Sequence, residues 1–131
     1  MIKNTIKPAA QFELKLNVAV VHEITDLYKN LYKLSHKISK RDKFGIYLKV
    51  ENACLTSMHL AIKAALLPKS EKAKIILELR VLIEIMKRLV RVMLELEIID
   101  QDFYMHTQKK LQTISKMSAG WIKSVQSQKE V

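Results

Sequence analysis

Glycine and proline are scarce in this sequence, which contains 2 of each in 131 residues. Average usage would give about 9 glycines and about 7 prolines in a chain of this length. Turns rich in these residues separate the short strands of small β-sandwiches and barrels. Their scarcity therefore argues against an all-β domain and favours a few long helices joined by short loops.

The sequence also has a single cysteine, which excludes an intrachain disulfide and fits a reducing compartment. Residues 1–8 contain no apolar stretch of the kind that forms a signal peptide. Charged residues interrupt every apolar run before it reaches the length of about 18 residues that a membrane-spanning helix requires. We therefore expect a cytoplasmic protein with no membrane partner.

The charges of the chain are strongly unbalanced. Lysine and arginine number 23 against 13 aspartates and glutamates, which gives a formal net charge of +10. Residues 1–43 carry the largest part of this excess, with 9 basic and 4 acidic side chains. Such an excess favours nucleic acids, anionic membrane surfaces or acidic proteins as partners, and a basic surface without a ligand is the alternative.

Hydrophobic residues make up 49% of the chain, which is enough for one core in a domain of this length. Apolar side chains recur at the helical period in four segments, which are residues 18–39, 44–67, 71–98 and 100–124. Short connections make consecutive helices antiparallel neighbours, so we expect an all-α, up-down-up-down four-helix bundle. We also expect Ser70 and Asp100 to cap the third and fourth helices. The predicted organisation is an arm over residues 1–16, the bundle over residues 17–126 and a tail over residues 127–131.

The predicted third helix is more apolar than one core requires. Its apolar arc spans roughly 200°, about twice the width that a core-facing surface helix needs. It is therefore either the most buried helix of the domain or a helix that faces a second subunit. The side chains that widen the arc, and that we assign to an oligomer interface, are Val81, Ile85, Val92 and Leu96.

The residues that helical bundles use for catalysis or metal binding do not occur at the necessary spacing. No glutamate is followed three residues later by a histidine, as a di-iron carboxylate site requires. Two glycines cannot form a glycine-rich phosphate loop. Cys54 lies on an apolar face without a nearby histidine on that face, so we expect a buried, inert thiol. We therefore expect a non-enzymatic protein without a metal or cofactor.

Two features of the apolar faces have functional alternatives. Glu51 lies within the apolar sector of the second helix and needs a partner there. We expect an ion pair with a lysine or arginine, inside the bundle or across an interface, rather than a general base. Tyr28 and Tyr32 could stack on nucleobases, but their spacing on or beside the core face favours a place in the core.

Three basic stripes remain as candidates for binding. Each follows the polar face of one predicted helix, and a single stripe of this kind is usually only a solvated face. Three of them with a net charge of +10 indicate electrostatic binding of a polyanion. Because no aromatic residues are interleaved on these faces, we expect contacts to the phosphate backbone rather than base recognition. The candidate residues are Lys29, Lys33 and Lys37 in the first helix, Arg80, Lys87 and Arg91 in the third, and Lys109, Lys116 and Lys123 in the fourth.

Several ordered landmarks carry a family resemblance. They are RDKFG at residues 41–45, ENA at 51–53, LPK at 67–69 and ISKMSAGWIKS at 114–124. The chain resembles the accessory variability determinant (Avd) proteins of diversity-generating retroelements, and their four-helix-bundle relatives that are encoded in intervening sequences of 23S rRNA genes. The resemblance covers residues 18–124, and the Gly120-Trp121 pair is its most specific part. The stretch from Asn52 to Thr56 differs from the SIxxNIAEG-like segment of the intervening-sequence relatives, which favours the Avd side.

The resemblance implies a small, basic, non-enzymatic protein that assembles into a homopentameric barrel. Avd-like proteins associate with the retroelement reverse transcriptase and with its template RNA, and they support mutagenic retrohoming. We therefore expect as partners further copies of this chain, a reverse transcriptase, and RNA or DNA bound through backbone contacts. The alternative is a self-assembling structural bundle of the intervening-sequence type with no nucleic-acid role.

Overall fold

Four long helices dominate the computed structural model, which describes residues 8–129 apart from the side chains of residues 9, 10, 12, 13, 128 and 129. The elements in chain order are α1 (Pro8–Leu34), a 3-10 turn (Ser35–Lys37), the short α2 (Lys40–Lys43), α3 (Ile46–Leu66), α4 (Lys69–Glu95) and α5 (Gln101–Lys129). The described part of the chain contains no strand. The predicted all-α class with four principal helices is therefore confirmed.

Each long helix packs against two others, so that the four helices surround one core. α3 contacts α1 and α4, and α5 contacts α4 and α1. Tyr47 Oη donates a hydrogen bond to Leu31 O, and Cys54 Sγ donates one to Ile24 O at 3.8 Å. Residue numbers thus rise along α3 as they fall along α1, and the two helices are antiparallel. The largest fully buried side chains are Trp121, Tyr47, Ile24, Leu27, Leu31, Ile76, Leu79, Ile83, Met86, Met93, Leu111 and Ile114.

The core face of α3 consists largely of small residues. Its buried positions are Tyr47, Val50, Ala53, Cys54, Ser57, Leu60, Ala61 and Ala64. Small side chains allow the backbone of α3 to approach its neighbours closely, and the large side chains of α1, α4 and α5 fill the remaining core. Full burial of each large aliphatic side chain contributes about 1.5–3 kcal/mol to folding.

This face differs from the one that the helical period predicted. The helical period of residues 44–67 puts Leu55 and Ile62 on the apolar face and therefore predicts them in the core, but they are 42% and 44% exposed. The expectation was wrong because α3 carries two apolar stripes side by side, and periodicity alone does not decide which of them faces the core. The stripe with small side chains is buried, and the stripe with large side chains remains outside.

The helix starts follow local chemistry, although only one predicted cap is correct. The N–H of Phe103 donates to Asp100 Oδ1 at 2.8 Å, which confirms Asp100 as the cap of α5. Ser70 does not cap α4, because Pro68 occupies the cap position with φ −61° and ψ 154°, and its carbonyl accepts from the N–H of Glu71 at 2.9 Å. A proline at this boundary has no N–H to satisfy, and it places the residue before it in extended backbone.

α4 ends earlier than predicted, at Glu95, in a left-handed turn. Glu97 has φ 61°, and its N–H donates to Leu94 O at 3.0 Å. The N–H of Ile98 donates to Met93 O at 2.9 Å, which completes a Schellman motif. The chain then turns inward, since Ile99 is 6% exposed.

Both helices at the chain ends are longer than predicted. The expectation of an arm over residues 1–16 is wrong for residues 8–16, which belong to α1 and begin with Pro8, a residue well suited to the first helical position. Residues 1–7 lie outside the described part. The predicted tail over residues 127–131 is likewise wrong for residues 127–129, which continue α5 because Val125 still packs in the core. Residues 130 and 131 lie outside the described part.

A buried lysine ties the start of α4 to the end of α3. Lys72 is only 7% exposed, and its Nζ donates to Ala64 O at 2.7 Å and to Ala65 O at 3.0 Å. These carbonyls belong to the last turn of α3, where no intrahelical N–H is available to them. A cation at this position also interacts favourably with the helix dipole. The short α3–α4 connection is therefore stabilised by a charge-assisted cap.

We expect Lys72→Met to lower the free energy of unfolding by about 2 kcal/mol, because it leaves two buried carbonyls without their charged donor. Urea unfolding followed by circular dichroism measures the change. Lys74→Met is the matched control, since this neighbouring lysine is exposed and its replacement should change stability by about 0.5 kcal/mol or less. Equal effects of the two substitutions would contradict the capping role.

Candidate nucleic-acid interface and assembly surface

The lysine stripes of α1 and α5 are exposed to solvent. Among the residues that the structure describes, none of their ammonium groups makes an ion pair or a side-chain hydrogen bond. His106 lines one depression with Lys33 and Lys37 and another with Lys109, so the adjoining ends of the two stripes lie on one side of the molecule. We call this surface the lysine face, and its members are Lys29, Lys33, Lys37, Lys109, Lys116 and Lys123.

The basic stripe of α4 has a different environment. Lys87 Nζ lies 2.8 Å from Gln112 Oε1 and 2.9 Å from Glu84 Oε2. Arg91 donates to Tyr104 Oη at 3.4 Å, and its guanidinium carbon lies 5.7 Å from the centroid of the Tyr104 ring. The contacts with Gln112 and Tyr104 join α4 to α5.

Arg80 completes this stripe and is half-buried. Its Nε has no hydrogen-bond partner within the described residues. The stripes of α1 and α5 thus have free ammonium groups, whereas the stripe of α4 takes part in packing between helices.

Two acidic residues of α1 beside the lysine face are already neutralised. Lys110 Nζ lies 2.8 Å from Glu23 Oε2 and 3.7 Å from Asp26 Oδ2, which links α5 to α1. His22 Nε2 lies 3.4 Å from the same Asp26 oxygen. Lys110 was not singled out in the sequence because it does not belong to the stripe with a seven-residue period. Its ion pairs leave the exposed lysines as the dominant charges of this surface.

Aromatic side chains adjoin the α1 lysines, contrary to the prediction. Tyr32 is 57% exposed, so its predicted place in the core is wrong, whereas Tyr28 packs partly against the core as expected. The centroids of these two rings lie 6.4 Å apart. The ring of His36 lies 6.2 Å from that of Tyr32. Tyr32 lies outside the core because helical spacing places it at the edge of the apolar arc, where neighbouring helices no longer cover it.

The surplus apolar arc of α4 faces outward. Val81 is 51% exposed, Ile85 is 44% exposed and Leu96 is 62% exposed, while Val92 is half-buried. The alternative that these side chains make α4 the most buried helix is therefore not correct. Leu77, which the sequence reasoning did not include, is 53% exposed and extends the same row. A shallow depression of about 400 Å³ follows this row and is lined by Leu77, Arg80, Val81, Glu84, Ile85 and Arg88.

Glu51 lies half-buried in the outer stripe of α3, close to Leu55 in sequence. It makes no ion pair with any described residue, so the expected partner inside the bundle is not present there. A partner across an interface stays a prediction. The carboxylate influences its neighbours electrostatically, because its negative charge helps to raise the pKa of Tyr47 to about 12, after the larger effect of burial.

Cys54 is fully buried, as predicted. Burial, and to a smaller extent the charge of Glu51, raises the pKa of its thiol to about 12. A thiol in this environment stays protonated at neutral pH and is a poor nucleophile. In the described part of the chain, no group of three histidine, cysteine, aspartate or glutamate side chains is arranged to hold a metal ion.

None of the helices in the described residues has both the length and the apolar composition of a membrane span. Comparisons with protein-family models, with curated proteins and with solved structures find no match for this chain.

The most specific part of the resemblance, the Gly120-Trp121 pair, lies where α5 packs on the core. Trp121 is fully buried, and a Cβ at Gly120 would lie 3.9 Å from Leu16 Cδ1, in ordinary contact with α1. In this fold the pair therefore serves packing.

We expect the Cys54 thiol of the native protein to resist iodoacetamide at pH 9.0. That pH equals the ordinary thiol pKa, so about half of an unfolded thiol is thiolate, whereas a folded pKa of about 12 leaves about one thousandth. Mass spectrometry before and after denaturation in urea measures the alkylation. Because folding raises this pKa, the stabilisation from the protonated thiol should also be lost as the pH rises from 9.0 towards 12.

The matched control for accessibility is Thr56→Cys in a Cys54→Ala background, because Thr56 is exposed on the same helix. This thiol should react in the native state. Alkylation of Cys54 at the same rate as this control would show that the thiol is not protected.

Proposed function

We propose that this protein is a non-catalytic, oligomeric accessory factor of a diversity-generating retroelement. It binds the reverse transcriptase and its template RNA through basic surfaces and thereby supports mutagenic retrohoming. The resemblance to Avd proteins suggests the biological setting, and the chemistry of the exposed residues supports polyanion binding independently of that resemblance.

The observation that carries the proposal is the lysine face. Its ammonium groups are exposed and have no partners among the described residues, while Glu23 and Asp26, two acids of α1 beside it, are paired with Lys110. Free lysines on one surface attract phosphates at long range and neutralise them on contact. The α4 stripe is less suited to this role, because Lys87 and Arg91 already contact neighbouring side chains.

The proposed contribution to cDNA synthesis is made by binding alone. A reverse transcriptase that copies RNA needs its template and primer close by, and a basic oligomer raises their local concentration. Several copies present the lysine face repeatedly, so one assembly can hold the polymerase at some sites and RNA at others. The sequence also made Arg80, Lys87 and Arg91 candidates for this contact. We now assign the contact to the lysine face.

We expect the triple variant Lys33→Glu, Lys109→Glu and Lys116→Glu to lose template RNA binding and reverse-transcriptase-dependent cDNA synthesis while the protein remains folded. For single strands, loss of three phosphate contacts should reduce the salt dependence by about 2 log units of affinity per log unit of salt. Fluorescence anisotropy over a salt series measures the binding. Co-purification with the reverse transcriptase of a diversity-generating retroelement, followed by template-primed synthesis, measures the function.

The control for that experiment has the same change in charge elsewhere. Lys49, Lys63 and Lys74 are exposed on α3 and α4, and their replacement by glutamate should have a much smaller effect. Equal losses in both triple variants would indicate that only net charge matters. If the two proteins do not associate even with template RNA, or if cDNA yield is unchanged without this protein, the accessory function is wrong.

A second candidate function is a self-assembling structural bundle with no nucleic-acid role. The exposed apolar row of Leu77, Val81 and Ile85 favours it, because monomeric proteins seldom expose a continuous row of large aliphatic side chains. Assembly is also part of the first proposal, so nucleic-acid binding rather than oligomerisation distinguishes the two.

We expect Ile85→Glu to convert the assembly to monomers with its helicity retained, because a carboxylate would be buried against apolar side chains of another copy. Light scattering measures the mass and circular dichroism measures the helicity. Met105→Glu is the control, since Met105 is a 58% exposed side chain on α5, outside this row. A wild-type protein that is monomeric at tens of micromolar would contradict both the interface and the pentamer.

A further inference from the structure

We propose that a row of aromatic side chains at the end of α1, of which Tyr32 and His36 are exposed, binds single-stranded nucleic acid by stacking on its unpaired bases. The lysines beside them contact the phosphates of the same strand. We call the aromatic set the aromatic ladder, and it consists of Tyr28, Tyr32 and His36. The inference rests on the proposed nucleic-acid binding and specifies its mode, which differs from the backbone-only contact that the sequence indicated.

The aromatic ladder follows one side of the chain with a spacing of four residues. The rings of Tyr28 and Tyr32 are tilted by 39° with centroids 6.4 Å apart, and those of Tyr32 and His36 are nearly perpendicular at 82° and 6.2 Å. Neither pair is stacked face to face, and Tyr32 remains 57% exposed between its two neighbours. Tyr32 and His36 are exposed, while Tyr28 packs partly on the core and anchors the row.

Each ring of the ladder is followed directly in the sequence by a lysine. These lysines are Lys29, Lys33 and Lys37, which belong to the lysine face. Since a helix has 3.6 residues per turn, consecutive residues lie about 100° apart, and the lysine row runs beside the row of rings. Rings that stack on bases next to cations that neutralise phosphates are the combination found in proteins that bind single strands.

A second aromatic surface borders the same lysines on their other side. Lys33 and Lys37 line a depression of about 290 Å³ between α1 and α5, together with Phe103 and His106. A strand that follows the lysine row therefore has aromatic side chains available on both sides. A base can therefore reach a ring on either side of the lysine that binds its phosphate.

The connection that follows α1 also combines exposed basic side chains with an exposed aromatic ring. Lys40, Arg41 and Lys43 of α2 are exposed, and Phe44, which follows them, is 67% exposed. In a duplex the faces of the bases are occupied by their own neighbours, so exposed rings gain little from it. Unpaired bases leave their faces free, and a surface of rings and ammonium groups therefore favours a single strand. An apolar protein helix would fit this surface poorly, because it would cover ammonium groups without neutralising them.

The test compares oligonucleotides of about 20 nucleotides, longer than one typical binding site, as single-stranded RNA, single-stranded DNA and duplex RNA. Tyr32→Ala should weaken single-strand binding about tenfold and leave duplex binding within about twofold, as expected from one lost base–ring stack. Tyr32→Phe should restore single-strand binding, because the ring rather than the hydroxyl is required. A 2-aminopurine base in the strand should be quenched by the wild type and by Tyr32→Phe, but much less by Tyr32→Ala.

The control is Leu66→Ala, which removes another exposed large side chain, 81% exposed, at the opposite end of α3 from the ladder. Its binding should match the wild type. The RNA and DNA arms decide which polymer is preferred. Stacking is overturned if Tyr32→Ala binds single strands like the wild type, or if it weakens single strands and duplex equally.

Light scattering on each variant tests the alternative that another copy of this chain covers this surface. If Tyr32→Ala changes the mass of the assembly, the ring is a subunit contact and the inference is wrong. If the wild type binds none of the three polymers, the proposed function fails as well. Binding of all three without any effect of Tyr32 removes only the stacking mode.

Discussion

The structure depends on one packing constraint: the helices have more apolar surface than one core can accept. α3 presents two apolar stripes, and α4 has an apolar arc that continues past the core. The stripe of α3 with small side chains, such as Ala61 and Ala64, is buried because it allows close approach of the neighbouring helices. Leu55 and Ile62 on α3, like Val81 on α4, consequently remain on the surface. The remaining apolar surface is what makes an assembly of several copies physically reasonable.

Electrostatics divides the surface of this bundle in a second way. Charges near helix contacts are used to hold helices together, as in the ion pair of Lys110 with Glu23 and the hydrogen bond of Lys87 to Gln112. Lysines that point away from such contacts, including Lys33 and Lys116, have no partner in the described structure. Exposed lysines without a partner in the described structure therefore line the side formed by α1 and α5, where they contribute part of the net charge of +10. Binding by this side would not compete with the apolar row of α4.

The sequence predicts the fold well and the surface less well. Helical periodicity correctly gave four helices, and the chemistry of Asp100 gave the start of α5. Helical periodicity could not predict the caps by Pro68 and Lys72, because those depend on backbone geometry and on a contact between two helices. It placed Tyr32 in the core because an angle around a helix does not tell how far the neighbouring helices reach. The role of each basic stripe was equally hidden, since Gln112 and Tyr104 lie far in sequence from their α4 partners.

The order in which this bundle would loosen follows from its connections. α4 is joined to both of its neighbours by short connections, and it packs against them more extensively than α1 packs against α3 or α5. Local opening begins where few contacts must break, so we expect the amide hydrogens of α1 to exchange first. The aromatic ladder and half of the lysine face lie on that helix and on the 3-10 turn that follows it. A bound strand would therefore protect the least stable part of the protein, and binding would be linked to the rigidity of α1.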